Sequence, residues 1–330
     1  MEHTTPIEVS NRSFAELLSS MSRTGFQGRR LGLAFEIWLE MLKEERITIL
    51  MGLAGAMVPA GMRRIIAWLI RNRFIDVLVS TGANLFHDLH EALGFKHYLG
   101  SDCVNDEELY REGIDRIYDI FAYEREFNRL DFLISEIFAE SEGVFSSREI
   151  IDKIAEKIRK HAKEDSIIIS AYEESVPIFC PAIADSSIGI GASLASKRCV
   201  VDTIKDVEEL TEIVAKSGKT GVIYIGGGVP KNFIQQTEVV ARLKGYEVDG
   251  HNYAIQITTD SPYFGGLSGC TFEEGISWGK INTKSKNVQV FVDATIALPI
   301  LAHGLIGVKR KSNPIFSFGK EIIVTYSQRT

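Results

Sequence analysis

From Ile47 onward the sequence alternates short apolar runs with longer amphipathic segments, a rhythm that predicts βαβ units feeding a parallel sheet. Ile47–Leu53 (ITILMGL) reads as the first buried strand. A helix is expected over residues 59–71, with Pro59 near its first turn and Met62, Ile65, Ile66 and Leu69 on one face. Residues 74–80 read as the next strand, and Thr81-Gly82-Ala83-Asn84 turns the chain into a helix carrying His87, Asp88 and His90. Five further strands are expected at 176–180, 199–203, 221–225, 254–259 and 288–293. Residues 105–162 contain only Gly113 and Gly143 as breakers, and their periodic Leu, Ile and Phe positions predict three helices, an excursion from the sheet. No repeat, low-complexity run or Pro/Gly/Ser linker divides the chain, so the expectation is one large α/β domain, a parallel sheet flanked by helices.

The composition supplies the core that such a sheet needs. Hydrophobic residues make up 45% of the 330 and charged residues 25%, enough apolar surface without disulfides or metals. The net charge of −7 gives no general attraction to phosphate backbones, which excludes nucleic acid as an expected partner. An acidic surface steers polycations, and it also simply keeps proteins soluble. Cys103, Cys180, Cys199 and Cys270 are widely spaced and form no CxxC pair, so neither a zinc site nor a disulfide framework is signalled. The first 23 residues are polar and mixed in charge, unlike a signal peptide, and no apolar run approaches the ~18 residues of a membrane span. A cytoplasmic protein with no membrane partner is the expectation.

In doubly wound sheets the ligand lies beyond the carboxyl ends of the strands. Tyr224-Ile225-Gly226-Gly227-Gly228 is the strongest candidate there, because successive glycines after a strand let backbone approach a diphosphate while the next helix points N–H groups at it. The same pattern also serves as a plain tight turn. Residues 187–191 (SIGIG) lack the spacing of a dinucleotide fingerprint and read as a turn. Asp185 and Asp293 follow strand candidates, where a carboxylate either accepts ribose hydroxyls or caps a helix. In residues 269–280 (GCTFEEGISWGK) Lys280 stands beside Trp278. A lysine held against indole in a partly dry pocket has its charged form disfavoured, which suits imine chemistry, whereas the plain alternative is a surface lysine beside a tryptophan.

The block Glu273-Glu274-Gly275-Ile276-Ser277-Trp278-Gly279-Lys280-Ile281 resembles the active-site lysine motif of deoxyhypusine synthases. Residues 31–40 (LGLAFEIWLE), 74–88 (FIDVLVSTGANLFHD), 94–100, 177–186 (PIFCPAIADS), 226–231 and 293–299 (DATIALP) fall in the same family order. The likeness covers nearly all of the chain after about residue 25, leaving an N-terminal extension over 1–25 and one catalytic domain over 26–330. It implies a Rossmann-like fold assembled as a homotetramer, a dimer of dimers. It also implies NAD as a recycled cofactor, spermidine or another polyamine as donor, and a translation-factor lysine as acceptor. By position, Lys280 would be the covalent lysine, Trp278 would pack on the alkylamine and Glu274 would be an anionic partner. Thr81, Gly82, Asp185, Gly226, Gly227, Gly228, Thr259, Asp293 and Ala294 would face NAD. No metal site is implied.

The chain also departs from that family. Asn232 stands at the position of the catalytic histidine, and asparagine hydrogen-bonds but exchanges no proton near neutral pH. Ile190 and Leu267 replace two aspartates, while Gln256 and Gln236 replace a tyrosine and an asparagine. A bis-cationic amine needs carboxylate partners in a dry pocket. Asp260, Glu273, His87 and Asp88 are the candidates for lost contacts, and His87 either transfers protons or is a satisfied structural histidine. Three functions follow: alkylamine transfer to a small amine, as in homospermidine formation; modification of a protein lysine; or a NAD-binding regulator without turnover.

Overall fold

The computed structural model describes residues 3–328. The chain forms two compact units, one from the chain up to Ala54, Asn72–Val79 and the chain from Val207 onward, the other from Gly55–Arg71 and Ser80–Asp206.

The first unit is built on five strands, β1 (Ile47–Leu53), β2 (Val77–Ser80, its last residue in the second unit), β3 (Lys219–Ile225), β4 (His251–Thr258) and β5 (Ile281–Phe291), in the order β5-β4-β3-β1-β2. The pairs β1–β3, β3–β4 and β4–β5 are parallel. All seven residues of β1 are buried, and so is β3 from Thr220 on, as expected of parallel strands covered on both faces. Helix Phe26–Lys43 buries Phe35, Trp38, Met41 and Leu42 and packs on β4 and β5. Because β1, β3, β4 and β5 run the same way, Ala54, Gly226, Thr259 and Asp293 all leave the sheet at one edge.

The stretch read as an N-terminal extension contains the helix Phe14–Met21, closed by a capping box between Ser13 and Glu16. Leu18 on it is fully buried, and Gly32 is the crossing point with the next helix, since a side chain there would meet the Leu18 carbonyl at 2.6 Å. The strand expected over 74–80 begins only at Val77. Asp76 is diverted: its Oδ2 accepts the Ile49 N–H at 2.8 Å, and both its oxygens accept from Arg310 at 2.6 and 2.7 Å, all of it buried. An antiparallel pair, Ser312–Ser317 with Ile323–Gln328, closes the chain and was not anticipated.

The second unit holds the three helices expected over 105–162, at Asp106–Glu112, Glu124–Glu140 and Ser147–Ile158. An unanticipated hairpin, Ile114–Ile117 with Ile120–Tyr123, separates the first two. The helix expected from residue 59 starts as a wide turn, Val58–Met62, in which Gly61 takes φ +86°, and becomes regular at Arg63–Arg71. Residues 199–203 form no part of the main sheet; Cys199–Val201 pairs instead with Gly143–Phe145. Among the described residues no helix is long and apolar enough to cross a membrane.

Candidate active site

Helix Phe272–Ser277 ends in a Schellman turn: Gly279 N–H donates to Ile276 O at 2.8 Å and Lys280 N–H to Gly275 O at 3.0 Å. That geometry requires a left-handed residue, supplied by Gly279 at φ +65°. Arg242, on helix Gly228–Leu243, donates to the Gly279 and Trp278 carbonyls at 2.5 and 3.0 Å, so the exposed end of the turn is tied down. Ile281 then enters β5, and the Lys280 side chain is sent towards the helix Gly228–Leu243.

There the Lys280 ammonium donates to Asn232 Oδ1 at 3.2 Å, and it lies 5.2 Å from the Trp278 ring centre, within cation–π range. Asn232 Nδ2 donates to Gln236 Oε1 at 3.3 Å one turn on, which fixes the amide with its oxygen towards the lysine. The indole is 63% exposed, so within the single chain the lysine rests on a wet aromatic face. Glu274 is exposed, its N–H held by Thr271 Oγ1 at 3.1 Å, and Lys280 forms no ion pair with any carboxylate among the described residues.

At the common strand edge, Gly226 (φ +75°) and Gly228 (φ +57°) flank an extended Gly227. A Cβ on Gly227 would meet Ser268 Cα at 2.5 Å, whereas the space beside Gly228 is open. Gly228 N–H donates to Ser268 Oγ at 3.0 Å, so one of the helix's free donors already has a partner. Thr259 is exposed beside this edge. Asp293, also exposed, caps helix Ala294–Gly304 by accepting from Thr295 N and Oγ1 at 2.7 and 2.6 Å. The open glycine backbone and exposed side chains after β4 and β5 suit a dinucleotide's diphosphate and hydroxyls.

In the second unit, Thr81 is the N-cap residue of helix Gly82–Ala92, and Gly82 has no room for a side chain against Ser186 Oγ. Asp185 is exposed in the turn before helix Ser187–Ser193. Asp88 is unavailable for a ligand: it is buried and caps helix Ile167–Glu173, accepting from Ser166 Oγ, Ile167 N and Ile168 N at 2.6, 2.8 and 3.0 Å. His87 heads a relay, with its Nδ1 3.0 Å from His97 Nε2, His97 Nδ1 2.7 Å from Glu91 Oε1, and Glu91 Oε2 2.6 Å from Arg63 Nε. With Nδ1–H of His97 donated to Glu91, His97 Nε2 accepts from His87, and His87 Nε2 is left as a free acceptor. Burial, helped by His97, pushes His87 down to about 4, so its ring is neutral at pH 7.

Sequence reasoning passed over Lys231, Arg242 and Gln289. Lys231 is fully buried, and its burial pushes it down to about 8. Gln289 and Gln256 face each other in register on β5 and β4. The available signal was the alternation of β4 and β5, which points both glutamines to one face.

The deoxyhypusine synthase family model matches residues 16–305. "Probable deoxyhypusine synthase 2" of Archaeoglobus fulgidus is 72% identical over 297 residues, 90% of this chain and 99% of its own. Its namesake in Methanosarcina mazei is 60% identical over 325 residues, 96% of this chain and 94% of its own. By fold, a crystal structure from Entamoeba histolytica assigned to the same family aligns with a TM-score of 0.62 at 19% identity, covering 92% of this chain and 98% of that one. The chain belongs to the deoxyhypusine synthase family.

Proposed function

We propose that the chain is a NAD-dependent alkylamine transferase in which Lys280 carries the four-carbon amine of spermidine as an imine. The observation that supports this most is the Lys280 amine held between the Trp278 ring and Asn232 Oδ1, with no carboxylate among the described residues to lock it as a permanent ion pair. NAD, when bound, supplies hydride acceptance from the donor's amine carbon and hydride return to the product. Gly226, Gly227, Gly228, Thr259, Asp293 and Ala294 would hold it, and Thr81, Gly82 and Asp185 carry the same role by motif.

The chain's own residues act on the amine. Lys280 in its free-base form attacks the imine carbon of the oxidised donor, and loss of diaminopropane leaves the imine on Nζ. The Trp278 face covers the alkyl chain, and Asn232 Oδ1 accepts an N–H that orients the nitrogen lone pair. An acceptor amine then displaces the Lys280 amine. Asn232 cannot carry a proton in these exchanges, and His87, whose ring is neutral, is a proton-transfer candidate on sequence grounds alone. Drying of the 63% exposed indole would come from assembly into a homotetramer.

Ile190 and Leu267, both exposed, remove two carboxylate partners for a bis-cationic amine, and a small amine such as putrescine is the alternative acceptor to a translation-factor lysine because it needs no docking surface for a protein. Borohydride trapping with spermidine and NAD tests the reading. A mass adduct on Lys280, absent in Lys280→Arg, is expected, and no adduct with any polyamine would leave the non-catalytic alternative. Labelled spermidine offered with putrescine and with the factor then shows which acceptor takes the label.

A further inference from the structure

Lys231 stands beside Asn232 in sequence but is fully buried, in a network that contains no carboxylate partner among the described residues. Its ammonium donates to Gln256 Oε1 at 2.9 Å, to Cys270 O at 2.6 Å and to Leu267 O at 3.3 Å, one acceptor for each N–H. Gln256 Oε1 also accepts from Gln289 Nε2 at 2.7 Å, and Gln289 Nε2 reaches Cys270 O at 3.1 Å. The orientation of the Gln256 amide is thereby determined. Its Nε2 donates to Gly226 O at 2.9 Å and to Ser268 O at 2.7 Å.

Apart from the two accepted by Gln256 Oε1, these hydrogen bonds all end on one of two backbone segments, the Gly226–Gly228 turn or the stretch from Leu267 to Cys270. The two segments touch as well: Gly227 leaves no space for a Cβ against Ser268, and Gly228 N–H donates to Ser268 Oγ. An ammonium buried among neutral acceptors is costly unless each of its hydrogens is used, and the same geometry makes it a stiff three-way tie.

We propose that Lys231, with Gln256 and Gln289, is a latch that holds the Leu267–Cys270 segment closed on the glycine turn and so sets the shape of the cradle beside it. Lys231 is thus a positioning residue: it acts through backbone carbonyls and touches neither amine nor cofactor. The latch stands on these contacts alone, and only its consequence for a dinucleotide rests on the function proposed above.

The test compares the full-length protein with Lys231→Met, Gln289→Leu and the double variant Lys231→Met/Gln256→Leu, at one pH. Amide hydrogen exchange over residues 262–271 and NADH affinity by fluorescence are measured beside the melting temperature. In Lys231→Met, exchange of that peptide rises and NADH binding weakens, each by about tenfold, the loss expected for one charge-assisted hydrogen bond. If Lys231→Met does not fold, Gln289→Leu carries the same expectation with a smaller effect. The double variant also strips Gly226 O and Ser268 O of their donor, so exchange over 262–271 rises and NADH affinity falls beyond the values for Lys231→Met.

A folded Lys231→Met or Gln289→Leu with unchanged exchange over 262–271 overturns the latch, and so does a folded double variant that exchanges no faster there than Lys231→Met. Wild-type protein that binds no NADH, together with faster exchange over 262–271 in Lys231→Met, defeats the cofactor reading and leaves the latch standing.

Discussion

Asn232 offers Lys280 an acceptor and no proton: its Oδ1 takes the ammonium N–H at 3.2 Å while its Nδ2 is committed to Gln236 at 3.3 Å. A side chain that does not titrate gives the site no acid limb of its own near neutrality. Asn232→His changes that. An imidazole of ordinary pKa loses its base form below about pH 6.5, so the variant's rate of Lys280 imine formation should fall with acid through that value. Single-turnover trapping between pH 5.5 and 8.5 measures it, and identical profiles for the two proteins would remove Asn232 from the reacting centre.

Gly279 has two reasons to be glycine. Its φ of +65° disfavours any L side chain by about 1 kcal/mol, and a Cβ would meet Arg242 Nη1 and Nη2 at 2.8 Å. Gly279→Ala is expected to cost about 1–2 kcal/mol in urea unfolding and to displace Lys280, the next residue. Imine trapping should fall more than stability does. Equal trapping at saturating amine would show that the Schellman turn does not position the lysine.

Asp76 and Arg310 form a bidentate pair with both side chains fully buried. Arg310→Met leaves the buried Asp76 carboxylate with only Arg73, whose Nη2 is 3.5 Å from Oδ1, as its cation, which costs about 3 kcal/mol, whereas the double change Asp76→Leu/Arg310→Met should recover part of that loss. Denaturant midpoints of the single and double variants measure it. A loss below about 1 kcal/mol for the single change would place water, and not the pair alone, around Asp76.

The sheet strands that are buried on both faces were legible because nothing but an unbroken apolar run can occupy such a position: β1 and β3 match their expected ranges to within two residues. Boundaries failed where a single polar side chain was drawn to a distant partner. The strand expected from residue 74 starts only after Asp76, which is held by Arg310, 234 residues away in sequence, and no local pattern announces that. The two-unit division was illegible for a similar reason, since the chain crosses between units without any linker. For the candidate site, motif resemblance nominated Lys280, Trp278 and the glycine turn, and the fold sets the Lys280 amine 5.2 Å from the Trp278 ring centre. Lys231 was passed over, because a buried lysine is chosen by its three acceptors and those come from separate segments. Asp88 illustrates the reverse: it was a candidate to replace the lost carboxylate contacts, and it is a buried helix cap.

His90 makes the stability of the second unit depend on pH. It is fully buried against Phe127 and Phe95, ring centres 4.8 and 5.2 Å away, and neither ring nitrogen has a hydrogen-bond partner. Burial, followed by the neighbouring His97 and His87, pushes it down to about 3. The unfolded chain takes up a proton at this residue near the ordinary value of about 6.5, and the folded chain does not until far more acid pH. Between those values the unfolded state binds more protons, so the contribution of His90 is intact above about pH 6.5. It is lost as pH falls, by up to about 1.4 kcal/mol per unit. His90→Phe fills the same aromatic space without a titrating group. Relative to wild type, the variant should gain about 2 kcal/mol at pH 5 over its difference at pH 7.5. Measuring the difference between the two proteins at each pH cancels the buried carboxylates, including Asp88, which is pushed up to about 6 and pulls in the opposite direction. The Glu126 carboxylate, 3.2 Å from His90 Nε2, provides the competing outcome. Should it rotate to capture an imidazolium, the gain would vanish or reverse on acidification, and His90 would then be an acid-stabilised ion pair rather than a buried neutral ring.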